Sequence, residues 1–237
     1  MHTVANVRYP SCVIRLVLFD IDGTLIRTGG AGVNAFGRAF ETEFQIPNGA
    51  GQIKFSGRTD TSIAREMFLQ NGVEPSPANL ARFFDSYVFW LDYLLTQTNG
   101  AVVAGVWEFV HQMHGLPDRP AMGLLTGNIR LGAEIKLRHY ELWELFQTGA
   151  FADDHEDRDQ IAAIAKHRGS RLLNEDLRGD QILVVGDTPR DIQCARAIGA
   201  KMLAVATGGA KLDELKAHEP DWLVENLTKV AAKDVCG

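Results

Sequence analysis

Apolar positions follow two different rhythms along this chain. Leu16-Val17-Leu18-Phe19 is an unbroken apolar run that ends in Asp20-Ile21-Asp22-Gly23-Thr24-Leu25. A short run of this kind, closed by turn residues, predicts a strand buried on both faces, as inside a parallel sheet. From 31 to 98 the spacing becomes helical. Val33, Phe36, Phe40 and Phe44 recur at three- and four-residue steps, and Ile63, Met67 and Phe68 mark a second helix opened by Thr59-Asp60. The longest stripe runs from Leu80 through Phe83, Tyr87 and Leu91 to Leu95 and stops at Asn99-Gly100. Its aromatic residues read as core packing.

Beyond Val102 helix and strand alternate. Helices are predicted over 106–113, 129–135, 161–166, 192–198 and 212–217, and strands over 121–125, 150–151, 182–185, 202–205 and 222–224. Strands alternating with helices imply right-handed βαβ crossovers and a parallel sheet. The expected fold is therefore α/β, a Rossmann-like parallel sheet core with a small inserted α-helical cap domain. Residues 1–28 and 103–237 form the core in this reading, and 29–102 the helical lid.

Composition narrows the partners. A chain of 237 residues can bury a substantial core. The net charge of −6 and the lack of any Lys/Arg block argue against nucleic acid. No run of 18 apolar residues occurs, so no membrane helix is expected. Cys12, Cys194 and Cys236 are scattered, as for thiols used as small apolar residues in a reducing compartment. Met1 to Pro10 lacks a long apolar region before a cleavage site, so the cytoplasm is the expected location. A monomer and a homodimer both stay open.

The chemistry gathers at strand ends, where ligands of open α/β sheets bind. Asp20 and Asp22 close the first strand, and two carboxylates there need a cation or a proton to offset their repulsion. Thr126-Gly127-Asn128 closes another strand at a helix start, where free backbone N–H groups suit an anion. Gly186-Asp187-Thr188-Pro189-Arg190-Asp191 closes a third. Carboxylates beside an anion cradle suggest Mg²⁺ with a phosphate group. Gly30-Ala31-Gly32-Val33-Asn34-Ala35 fits a dinucleotide-binding pattern, but it lies about ten residues past the strand and lacks the acidic residue that would bind a ribose, so we reject that reading.

Asp20-Ile21-Asp22-Gly23-Thr24-Leu25, Leu125-Thr126-Gly127-Asn128 and the Gly186 to Asp191 segment resemble three of the four signature motifs of the haloacid dehalogenase-like superfamily, and the chain is similar to its phosphoglycolate phosphatase-like group. The resemblance implies a Mg²⁺-dependent phosphatase acting on a small phosphorylated metabolite through an aspartyl phosphate. Asp20 is then the nucleophile and Asp22 the general acid and base. Thr126, Gly127 and Asn128 would bind phosphoryl oxygens. The metal would be held by Asp20, the main-chain carbonyl of Asp22, and Asp187, with Asp191 a ligand or an orienter. The group commonly carries Lys-Pro before the last motif, where this chain reads Asp157-Arg158-Asp159. Arg158 is the expected replacement cation, ahead of Lys166, which lies further along the same helix. Arg58, in the loop Phe55 to Asp60, stands either for a contact to a substrate carboxylate or second anionic group, or for a solvated arginine beside a helix cap. A sugar phosphomutase and a non-catalytic phosphate-binding protein are the alternatives.

Overall fold

The computed structural model describes residues 13–51 and 53–237; the expectations for Met1 to Pro10 and Cys12 lie outside them. Leu16–Phe19 forms β1, buried throughout. Leu16 and Leu18 enter one hydrophobic cluster, Val17 and Phe19 another, because successive side chains leave a strand on opposite faces. An apolar run without polar interruptions is what such a doubly covered strand requires.

After β1 the chain makes a two-residue strand, β2 (Ile26–Arg27), that pairs antiparallel with β3 (Ala101–Val102). Between them lie three helices: α1 (Ala31–Phe44), α2 (Asp60–Gln70) and α3 (Pro77–Leu95). Thr59 caps α2 by accepting from the Ser62 N–H, and Ser76 caps α3 with Pro77 at its first position, both ordinary helix-start chemistry. Their inner faces share Phe36, Phe40, Phe68, Phe83 and Tyr87. Phe36 meets Phe83 and Tyr87 edge to face at 5.1 and 4.6 Å between centroids, and Phe40 meets Phe68 at 5.2 Å. Each such pair adds roughly 0.5–1.5 kcal/mol to the burial of its rings.

The remaining sheet strands are β4 (Ala121–Leu125), β5 (Thr148–Ala150), β6 (Ile182–Gly186), β7 (Lys201–Val205) and β8 (Trp222–Val224). They join β1 in the order β5-β4-β1-β6-β7-β8, parallel at every pairing. The chain fills the sheet on one side of β1 before crossing to the other. The carboxyl end of β1 therefore sits at the switch point, where the crevice of an open sheet forms. Helices α4 (Val106–His114), α5 (Arg130–His139), α6 (Arg158–Leu173), α7 (Pro189–Ala197), α8 (Leu212–Lys216) and α9 (Ala232–Cys236) complete the fold.

The structure departs from the expected pattern in a few places. β2 and β3 are not predicted, since two residues per strand are too few to show alternation, and the five-residue α9 is not predicted either. Helix α6 extends beyond the apolar stripe at 161–166, opening at Arg158 with Asp157 as its cap and running to Leu173. Val33 is 46% exposed instead of joining the core stripe. Cys194 and Cys236 are buried and free, used as apolar residues. No helix among the described residues is long and apolar enough to cross a membrane.

Candidate active site

Strand ends and helix starts converge above β1 on a cavity of about 370 Å³. Asp20 follows the last residue of β1, and its N–H is held by the Val185 carbonyl. Asp187 follows β6, and Asp191 lies in the first turn of α7. All three are buried, and one carboxylate oxygen from each falls within 4.8 Å of the others. Burial pushes the Asp20 carboxyl well above its usual range, with Asp191 adding to it and Arg158 opposing. Burial, then Asp191, raises Asp187 to about 7. Carboxylates so close and so dry cannot all be ionised without a cation. Gly23, at φ +90°, passes so near that a Cβ there would lie 2.6 Å from an Asp187 oxygen.

Arg158 supplies one cation. Its side chain is 5% exposed, and Nη2 donates to Asp191 Oδ1 at 2.6 Å and lies 3.6 Å from Asp20 Oδ1. The second Asp191 oxygen accepts from the Thr188 N–H at 3.0 Å and the Thr188 hydroxyl at 2.6 Å. Both Asp191 oxygens are thus engaged, which suits an orienter of Arg158 and leaves Asp20 and Asp187 as the freer carboxylates. Asp187 accepts from the Thr24 hydroxyl at 3.0 Å. Lys166 turns away and donates to the Ile198 carbonyl at 3.5 Å.

On the neighbouring strand end, Thr126 and Asn128 are buried. The Thr126 hydroxyl accepts from Asn128 Nδ2 at 2.9 Å and from the Asn128 N–H at 3.3 Å. Gly127 lies directly under the loop before α2. A Cβ at 127 would meet the Arg58 carbonyl oxygen at 2.1 Å, so only glycine allows this approach. The same loop is fastened by Asp60, whose N–H donates to the Gly127 carbonyl at 2.7 Å and whose carboxylate accepts from the Ile129 N–H at 2.8 Å. Thr59 donates to the Glu156 carbonyl at 3.1 Å.

Asp22 stands apart from the buried trio, with its side chain 43% exposed to the cavity. Its Oδ2 accepts from Asn128 Nδ2 at 2.8 Å and from Lys136 Nζ at 2.7 Å. Lys136, on α5, was not foreseen. It is 5% exposed along its side chain and also donates to Asn128 Oδ1 at 2.5 Å. Burial alone would lower its pKa, but Asp22 and Asp60 more than offset this and keep it charged. Arg58 lines the cavity, and its guanidinium donates to Glu66 and, at 3.1 Å, to the Ser62 carbonyl within the helical insert.

The geometry agrees with comparisons to known proteins. A family model described as haloacid dehalogenase-like hydrolase matches residues 17–205. A relative from Dickeya dadantii (strain 3937), called probable phosphatase IndB, is 27% identical over 218 residues, 91% of each chain. CbbY from Rhodobacter sphaeroides, solved in complex with phosphate, superposes with a TM-score of 0.71 at 16% identity, covering 91% of this chain and 96% of that one. A predicted phosphoglycolate phosphatase from Haemophilus somnus 129pt gives 0.67 at 18% identity, covering 91% and 96%. These structures share the parallel sheet and its flanking helices. By its motifs, its fold and a family match spanning most of its length, the chain belongs to the haloacid dehalogenase-like hydrolases.

Proposed function

We propose that the protein is a Mg²⁺-dependent phosphatase that hydrolyses the monoester of a small phosphorylated metabolite. The observation that carries this reading is the buried trio Asp20, Asp187 and Asp191 beside the Thr126-Gly127 turn, with Arg158 facing Asp20. An oxygen-only donor set of this kind fits Mg²⁺, which takes one or two carboxylates and fills the rest with water and phosphate. Asp20 and Asp187, with the Asp22 main-chain carbonyl, would hold it, while Asp191 fixes Arg158. Bound there, the ion neutralises charge between an anionic nucleophile and an anionic ester.

The protein's own residues divide the work. An Asp20 oxygen attacks phosphorus as the bond to the leaving oxygen breaks, and Asp22 gives that oxygen its proton. Asp22 then takes a proton from the water that cleaves the aspartyl phosphate, releasing phosphate and restoring Asp20. Thr126, the Gly127 and Asn128 N–H groups, and Arg158 bind the phosphoryl oxygens. Helices α1–α3 act as the cap that encloses the ester, and a cavity of about 370 Å³ admits a small metabolite. Phosphate release from a panel of phosphomonoesters tests this directly. Release with Mg²⁺ that stops on adding EDTA is expected; release that EDTA leaves unchanged would contradict the metal assignment.

A thermal measurement gives a second test. An unfolded aspartate releases its proton near pH 3.9, whereas folded Asp187 holds it to about 7. Between those values the folded chain binds the extra proton, so this group's contribution to metal-free stability falls as pH rises. Mg²⁺ needs the carboxylates deprotonated, so it should raise Tm clearly at about pH 8 and little at about pH 5. Equal gains at both would count against these ligands.

A further inference from the structure

Lys136 is a charged residue that the phosphatase reading leaves without a task. Burying an ammonium is costly unless its hydrogen bonds are well made. Here it sits under the helical insert, facing Gly32 of α1, and its contacts form a closed ring. Nζ donates to Asp22 Oδ2 and Asn128 Oδ1, and Asn128 Nδ2 returns to the same Asp22 Oδ2 and to the Thr126 hydroxyl. Two donors therefore converge on one oxygen of Asp22. No described residue donates to the other, Oδ1, and Asp22 lines the cavity.

We propose that Lys136 is a positioning residue for proton transfer, fixing which Asp22 oxygen carries the proton and stabilising the carboxylate left when it departs. With Oδ2 engaged as an acceptor by Asn128 and Lys136, a proton on Asp22 must reside on Oδ1. As the ester bond breaks, that proton passes to the leaving oxygen, and the new negative charge on Asp22 is met by an ammonium already in place. Charge-assisted hydrogen bonds are the stronger kind, and donors fixed in advance need no rearrangement when charge develops. Asp60 faces Lys136 from α2 and holds the Ile129 N–H of the segment opening α5, so seating of the helical insert and alignment of Lys136 share a contact.

This inference rests on the phosphatase reading, and the two can fail separately. The test is kcat/KM for 4-nitrophenyl phosphate and for phenyl phosphate in wild type and Lys136→Met, with Mg²⁺ present. Nitrophenolate leaves without a proton, whereas phenolate is a poorer leaving group and gains from one. General acid catalysis contributes about 10²–10⁴-fold, so phenyl phosphate turnover should fall by about 10²-fold or more and nitrophenyl turnover by less than about tenfold. In an Asp22→Asn background, Lys136→Met should add little further loss on phenyl phosphate, because the two residues act as one unit. Equal losses on both esters, or fully additive losses in the double variant, would overturn the positioning role while leaving the phosphatase intact. If Lys136→Met fails to fold, as judged by circular dichroism, the same ratio of losses is read in Lys136→Gln. A wild type that releases phosphate from neither these esters nor the metabolite panel would overturn both readings.

Discussion

Asp20→Asn is expected to abolish phosphate release, lowering kcat by at least about 10⁴-fold, as loss of a nucleophile does in other covalent enzymes. The change is nearly isosteric, so the fold should be kept. It also removes one of the carboxyls whose mutual repulsion burial has sharpened. The metal-free variant should therefore melt no lower than wild type at neutral pH, and its loss of activity cannot then be blamed on unfolding. Acid quenching of wild type during turnover of ³²P-labelled ester should trap label on the protein, and Asp20→Asn should trap none. Retention of full turnover by Asp20→Asn would rule out the aspartyl phosphate, whatever the fold suggests, since one fold supports many chemistries.

Residues at strand ends were legible because local pattern and position coincide there. Asp20, Thr126 and Asp187 each follow a buried apolar run, and a parallel sheet brings such ends to one edge. Lys136 was not legible in that way, since a lysine inside a helix looks like any solvated charge and its partner Asp22 lies 114 positions away. One signal was nonetheless present. Ile129, Ala133, Lys136 and Leu137 share the spacing of a buried helical face, with polar Arg130, Glu134 and Arg138 elsewhere. A charge in an apolar stripe is the pattern that marks a residue with a buried task. Arg58 read either as an anion contact or as a solvated arginine, and neither reading includes the ion pair it makes with Glu66, two turns into α2. Ion pairing between near neighbours is hard to see when the loop conformation is unknown. The ribbon of β2 and β3 escaped for a simpler reason, since two residues per strand are too few to show alternation.

Arg158 stands where the resemblance to the family implies a lysine, and its removal should have the second-largest effect. Arg158→Met leaves Asp20 and Asp191 facing each other in a dry site with no cation between them. Taking one partner from a buried ion pair costs about 3–5 kcal/mol, a fall in Tm on the order of 10 °C for a chain of this size. Part of that loss should return at lower pH, where the stranded carboxyls can take up protons, and that recovery separates electrostatic from packing damage. Activity should fall further than stability explains, by about 10²–10³-fold in kcat/KM, because a fixed positive charge opposite the phosphoryl group is lost. Arg158→Lys is the discriminating variant. A single nitrogen, Nη2, makes both acid contacts, while Nε is buried without a hydrogen-bond partner. One ammonium at the Nη2 position can serve the same pair, so the lysine variant should recover most of the lost stability and activity. If instead it behaves like Arg158→Met, the planar fork of the guanidinium matters in itself. The phosphoryl oxygens would then be held by two guanidinium N–H groups rather than by a single charge.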